Sequence, residues 1–224
     1  MRAALAPELA ALGEQFVLAE RMVTAGGRTW RLERPRSADD LINEADFERD
    51  ERLPYWADLW PSAIALADAV SARPGEGRLA VEFGCGLGLP SLAAVQAGFD
   101  VMATDYYEDA LRFARRNAMG NLGRDIATRL VDWSAFPADL GRFDLVLASD
   151  VLYERRYARL VARALVQSLA PAGVALVADP GRPALRGFLE SCVALGATVR
   201  ERHAAGNEHG TAMQTITIHE VRLG

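Results

Sequence analysis

The stretch VEFGCGLGLP (81–90) carries the densest chemical signal in the chain, with Gly84, Gly86 and Gly88 at alternate positions behind Glu82. Glycines that leave a strand and enter a helix let the backbone pass close to a ligand, because no Cβ intervenes and left-handed φ values are open to them. Asp105 follows Gly88 by 17 residues, near the interval at which doubly wound folds set a carboxylate against ribose hydroxyls. Two ligand classes compete for such a site. Dinucleotides favour G-x-G-x-x-G, whereas this chain reads G-x-G-x-G. An acid at Glu82 would repel a pyrophosphate but suits a ligand with an ammonium group. S-Adenosylmethionine meets that demand: it offers adenine, a ribose diol, an ammonium, a carboxylate and a sulfonium, and it needs no phosphate cradle. The plainer alternatives are a tight strand-to-helix turn for the glycines and an exposed strand-end carboxylate for Glu82.

A second cluster, Ser149, Asp150, Tyr153 and Glu154, follows the apolar run FDLVLA (143–148). Open α/β sheets place ligands at the carboxyl ends of their strands, so this cluster marks the acceptor side. There a carboxylate can orient an amine, and an aromatic wall tolerates cationic character. Helix N-capping is the competing role for Asp150, and Glu154 suits a protein-docking acidic surface. Asp179-Pro180-Gly181-Arg182 ends the next strand-like run on the same side, either as the wall of an acceptor channel or as a turn whose Pro and Gly set its geometry. Cys85 is small enough to sit in the glycine loop without reacting. His203, His209 and His219 read as surface or edge residues, and no spacing of His or Cys suits a metal.

These groups need a scaffold, which the apolar periodicity supplies. RLAVEF (78–83), FDVMAT (99–104), FDLVLA (143–148) and GVALVA (173–178) read as buried parallel strands. PSLAAVQAG (90–98), EDALRFARRNAMG (108–120) and YARLVARALVQSLAPAG (157–173) read as helices, the first two closed by Gly98 and Gly120. The alternation predicts an α/β, Rossmann-like, doubly wound and mostly parallel sheet. ATVRERHAA and TAMQTITIHEVRLG predict a C-terminal antiparallel hairpin on its edge. Ahead of the sheet, residues 16–35 predict a hairpin turning at Gly26-Gly27, followed by an acidic stretch (39–51) and a helix preceded by aromatics (54–70). Residues 1–60 form a small, lid-like N-terminal extension in this reading, and 61–224 the main domain.

With 224 residues, half of them apolar, the chain can bury one substantial core. Two cysteines exclude a disulfide framework, and the first 20 residues carry Glu8, Glu14 and Glu20 without a sustained apolar run. A cytoplasmic protein without a membrane span is expected. The net charge of −5 argues against nucleic acid as a partner. All 25 residues of the Lys and Arg class are Arg, so the chain has no lysine of its own to modify.

Taken together, VEFGCGLGLP, ATDYYEDAL, RRNAMGN, VDWSAF and ASDVLYE resemble seven-β-strand S-adenosylmethionine-dependent methyltransferases of the protein-lysine branch, whose D-x-x-Y motif is here Asp150 to Tyr153. PYWADLWPSA and DPGR are most similar to the electron-transfer flavoprotein β-subunit lysine methyltransferases and their bacterial relatives. The resemblance spans about residues 20 to 220 and implies a seven-stranded sheet. It implies that Gly84, Gly86, Gly88, Glu82 and Ser149 lie on the cofactor, with Asp105 holding the ribose and Tyr106 covering the adenine. Asp132 and Trp133 would flank the base, and Trp60 would cap the cofactor from the N-terminal side; Trp56 reads as lid packing. An ordinary core tryptophan is the alternative for Trp133, and Asn117 stays outside the expected site. Asp150 and Tyr153 would be the catalytic pair. The implied reaction is transfer of a methyl group from S-adenosylmethionine to lysine of a protein substrate, such as an electron-transfer flavoprotein subunit, with S-adenosylhomocysteine as product. A small-molecule N-methyltransferase with a nicotinamide-like acceptor and a non-catalytic cofactor-binding module are the competing readings. An NAD oxidoreductase is disfavoured by the glycine spacing and by Glu82.

Overall fold

The computed structural model describes residues 5–37, 41, 54–203 and 215–224. After two single-turn helices, α1 (Pro7–Ala10) and α2 (Leu12–Gln15), comes a two-stranded antiparallel sheet of β1 (Leu18–Ala25) and β2 (Arg28–Pro35). Its two-residue loop is Gly26-Gly27, both at positive φ, the demand of a tight hairpin whose twist matches its strands. The main sheet comprises β3 (Leu79–Phe83), β4 (Asp100–Asp105), β5 (Ala127–Leu130), β6 (Phe143–Ser149), β7 (Leu169–Asp179), β8 (Ala197–His203) and β9 (Thr217–Leu223). Its order is β5-β4-β3-β6-β7-β9-β8. All pairs from β5 to β7 are parallel, and β9 runs antiparallel to both β7 and β8. The chain is thus an α/β Rossmann-like fold with a mostly parallel seven-stranded sheet.

Two-residue periodicity divides the core. Ala80, Leu145, Leu147 and Leu176 face one apolar cluster, which also takes in α3 (Pro61–Ser71), α4 (Leu89–Gln96), α5 (Glu108–Leu122) and the hairpin residues Val23, Trp30 and Leu32. Val81, Phe83, Val146 and Val177 face the other, against α6 (Tyr157–Ser168) and α7 (Leu185–Ala194). Strands covered on both faces read as continuous apolar runs, as these do. The N-terminal hairpin therefore shares a core with the sheet.

Several elements differ from expectation. The helix expected over 157–173 stops at Ser168 and the chain turns into β7 at Leu169, since Pro171 disfavours helical backbone ahead of it. The glycine that closes α5 is Gly123 at φ +68, its N–H reaching the Met119 carbonyl; Gly120 lies inside the helix. In the C-terminal hairpin only β8 is an edge, because β9 inserts between β7 and β8. His219 is accordingly buried on β9, where burial pushes its imidazole pKa down; the ring was expected at the surface. His209 and all of the acidic 39–51 stretch except Leu41 lie outside the described residues. Among the described residues no helix is long and apolar enough to cross a membrane, and no group of three His, Cys, Asp or Glu side chains is placed to hold a metal.

Candidate active site

A cleft opens at the carboxyl ends of β3, β4, β5 and β6, at the point where the strand order reverses between β3 and β6. That is where doubly wound sheets receive ligands. Gly84, Gly86 and Gly88 line it and all have left-handed φ, +63, +50 and +83. Close approach adds a second demand. A Cβ on Gly88 would lie 2.9 Å from that of Ala114, and one on Gly86 would lie 3.0 Å from the Trp56 carbonyl oxygen. The absence of a Cβ at Gly86 and Gly88 thus admits the 55–57 turn and the neighbouring helix.

Asp105 ends β4 inside the cleft lining, where its carboxylate accepts the N–H of Gly86 at 2.9 Å and that of Tyr107 at 3.0 Å. It ties the glycine loop to the neighbouring strand, and burial pushes its pKa up. Tyr106 beside it is 42% exposed and lines the cleft. Asp132 and Trp133 stand at the end of β5. The Asp132 carboxylate accepts the Ser134 N–H at 2.8 Å and caps a 3-10 turn, and the Trp133 ring lies 3.6 Å from where a Gly84 Cβ would be. Ser149 and Trp60 also line the cleft.

Glu82 does not reach it. Alternation along β3 gives Glu82 the face of Ala80, toward α4, and there its fully buried carboxyl accepts the Ser91 N–H at 2.8 Å and the Ser91 hydroxyl. The other oxygen, Oε1, has no partner among the described residues, and burial raises the pKa to about 8. The neutral acid is therefore favoured at pH 7, which removes the charge that would have met an ammonium.

Asp150, just past β6, has φ +57, a left-handed value rare outside glycine. Such strain persists where surroundings over-determine it, often at functional sites. Its N–H donates to the Ala178 carbonyl, and its carboxylate meets the Ser62 hydroxyl at 3.4 Å and the Arg182 guanidinium at 2.6 Å. It caps no helix; α6 begins at Tyr157, behind Arg156. DPGR forms a turn: Asp179 accepts the N–H groups of Gly181 and Arg182, each at 2.7 Å, and the turn aims Arg182 at Asp150.

Tyr153 packs edge-on against Tyr55 at 5.5 Å and Tyr157 at 5.2 Å. Burial, with Tyr157 and Glu154 nearby, pushes its hydroxyl pKa well up, so the ring serves as an apolar wall and its phenol stays protonated. Glu154, expected on a docking surface, pairs with Arg156 at 2.6 Å. Tyr55 and Tyr157 escaped the sequence reading, and they complete a row of rings, Trp60–Tyr55–Tyr153–Tyr157–Trp133, with successive centroids 5.2 to 6.0 Å apart. The Y-x-x-x-Y spacing of Tyr153 and Tyr157 was the available signal. Asn117 was also passed over. It is buried, and its amide bonds the Leu87 carbonyl of the glycine loop and both backbone groups of Glu33 on β2. Trp56 packs on Phe113, in keeping with a packing role.

Comparison with known proteins agrees with this architecture. Residues 80–173 match the family model described as a methyltransferase domain. The chain is 33% identical over 143 residues to the ribosomal protein L11 methyltransferase of Azotobacter vinelandii, covering 62% of this chain and 44% of that protein. It is 30% identical over 134 residues to the electron transfer flavoprotein beta subunit lysine methyltransferase of Danio rerio, covering 58% and 51%. The chain thus spans about half the length of these curated relatives. In fold it is similar to the magnesium protoporphyrin IX methyltransferase of Synechocystis PCC 6803 solved with S-adenosylmethionine, at TM-score 0.57 and 18% identity over 82% of this chain and 94% of that one. The glycine loop, the strand-end acids and the reversal in strand order all fall within or beside the segment that matches the methyltransferase-domain model.

Proposed function

We propose that the protein methylates the side-chain amine of lysine in a protein substrate, with S-adenosylmethionine as donor. The observation that carries this reading is the conjunction of a buried carboxylate, Asp150, with the aromatic side chains of Tyr55, Trp60 and Tyr153 at one end of the cleft that the glycine loop bounds. The residues present suit the donor. Gly84, Gly86 and Gly88 line the cleft, and the methionine moiety would run along their backbone. Asp105, which lines the cleft, would receive the ribose hydroxyls, and Asp132, Trp133 and Tyr106 would offer an acceptor and two ring faces to the adenine. Bound there, the cofactor supplies an electrophilic methyl group on sulfur.

The chain's own task is then to present a neutral amine in line with that methyl group. A free lysine has a pKa of about 10.4, so its neutral form lies roughly 4 to 5 kcal/mol uphill at pH 7. Asp150 accepts a hydrogen bond from the amine and fixes its direction while a proton leaves to water. Tyr153, its hydroxyl held protonated, shields the amine from solvent and favours the positive charge that returns to nitrogen on methylation. No covalent enzyme intermediate is needed.

The test is transfer of labelled methyl from S-adenosylmethionine into a host lysate lacking this protein, with products resolved by size and read by mass spectrometry. A discrete protein carrying methyl-lysine is expected, and because the chain contains no lysine it cannot itself be the source of that residue. Label confined to the small-molecule fraction would replace the acceptor with a metabolite.

A further inference from the structure

The carboxylate assigned to the acceptor amine already holds a cation. Arg182 Nε donates to Asp150 Oδ1 at 2.6 Å, and the guanidinium carbon lies 5.6 Å from the centre of the Trp60 ring. A carboxylate on one side and an aromatic face on the other are what a bound alkylammonium would use. The two partners differ in exposure: the Asp150 side chain is 4% exposed and that of Arg182 is 30%. A buried carboxylate without a partner is costly, so in the free protein Arg182 compensates Asp150. Its guanidinium cannot shed its charge to make way. The turn that carries it is held by Asp179, which accepts the Gly181 and Arg182 N–H groups, so the exchange asks only that the partly exposed Arg182 side chain swing toward solvent.

We propose that Arg182 is a built-in occupant of the acceptor position, exchanged for the substrate's ammonium when the acceptor binds, so that only a cationic acceptor displaces it. This rests on the reading of Asp150 as the residue that receives the amine. The exchange conserves charge: one cation leaves the carboxylate as another arrives, and Arg182 moves toward solvent. A neutral acceptor of the same shape offers Asp150 no replacement charge and leaves Arg182 in place. Arg182 is thus a specificity-determining residue for alkylammonium over neutral acceptors.

The experiment uses the full chain saturated with S-adenosylhomocysteine and measures binding of n-butylammonium, a lysine side-chain probe, and n-butanol, its neutral counterpart. Wild type is compared with Arg182→Met, which keeps an apolar stem near Trp60, and with Arg182→Ala. Removing a competing charge-assisted hydrogen bond should tighten n-butylammonium about tenfold in both variants, with n-butanol affinity unchanged. Affinity for S-adenosylhomocysteine, held within about twofold, reports an intact fold and cleft. Equal or weaker n-butylammonium binding in the variants would overturn the exchange while leaving Asp150 as the amine's partner, provided that Asp150→Asn abolishes the binding. Binding of n-butylammonium by none of these proteins, with S-adenosylhomocysteine still bound, would overturn the acceptor assignment and the exchange with it.

Discussion

Replacing Glu82 by Gln isolates the energetic consequence of burying an acid under the glycine loop. In the native state its pKa is raised from 4.5 to about 8, chiefly by burial, against two opposing hydrogen bonds from Ser91. Between those values the folded protein holds a proton that the unfolded chain has released, so unfolding becomes more favourable as pH rises. The neutral acid's contribution is fully present below pH 4.5 and is lost as pH climbs through about 8. Each pH unit in that window costs about 1.4 kcal/mol, which amounts to roughly 3–5 kcal/mol across it. Gln has nearly the same shape and no proton to lose. Its carboxamide oxygen can still accept from Ser91, but its NH2 group replaces the unpartnered Oε1 and costs about 1–3 kcal/mol at every pH. Urea unfolding of both proteins at pH 5, 7 and 8.5 should therefore show Glu82→Gln the less stable at pH 5 and gaining on wild type by more than about 2 kcal/mol by pH 8.5. Asp105 and Asp179, also pushed up by burial, tilt both curves alike, so the difference between the proteins carries the result. Parallel curves would mean that Glu82 is ionised in the folded protein, and the account of a buried neutral acid would fail.

The remaining predictions follow from the cleft and its supports. Asp150→Asn should lower methyl transfer about 100-fold while S-adenosylhomocysteine affinity, read by calorimetry, stays within about twofold. Tyr153→Phe should retain activity within about threefold and Tyr153→Ala should lose about tenfold or more, because the ring rather than the ionised phenol does the work; a Phe variant as inactive as Ala would give the hydroxyl a direct role. Gly88→Ala combines a left-handed φ with a 2.9 Å approach to Ala114. It should cost about 2–4 kcal/mol in urea unfolding and weaken cofactor binding. Asn117→Ala should cost about 2–4 kcal/mol, since it removes its bonds to Glu33 and Leu87 and leaves buried backbone groups unpaired.

The parts legible in the sequence were those with a local cause. Apolar runs bounded by glycine marked β3, β4 and β6, and Gly26-Gly27 marked the hairpin, because strand burial and turn geometry leave their imprint on neighbouring residues. What stayed hidden depends on partners far along the chain. Glu82 reads as a partner for a ligand's ammonium until Ser91 of the following helix is seen to take its carboxyl, and Asp150 reads as the acceptor's carboxylate, or as a cap, with no local sign that Arg182 meets it 32 residues later. His219 looked like an edge residue because nothing local says that β9 enters between β7 and β8. The end of α6 was misplaced for a gentler reason: Ala-rich sequence continues the helical pattern past Ser168 while Pro171 already bars it.

Asn117 and Asn121 stand one helical turn apart on α5, and together they treat β2 as another strand would. Asn121 accepts the Arg31 N–H at 3.0 Å and donates to the Arg31 carbonyl at 2.8 Å, and Asn117 does the same for Glu33 two residues on. The spacing of alternate residues on a strand is thereby matched by side-chain amides four apart on a helix. A strand with unclaimed backbone groups is a template for another chain to pair with, the first step of edge-to-edge aggregation. The two asparagines close that template from within along β2, taking the backbone groups of Arg31 and Glu33 that another chain's strand would otherwise claim.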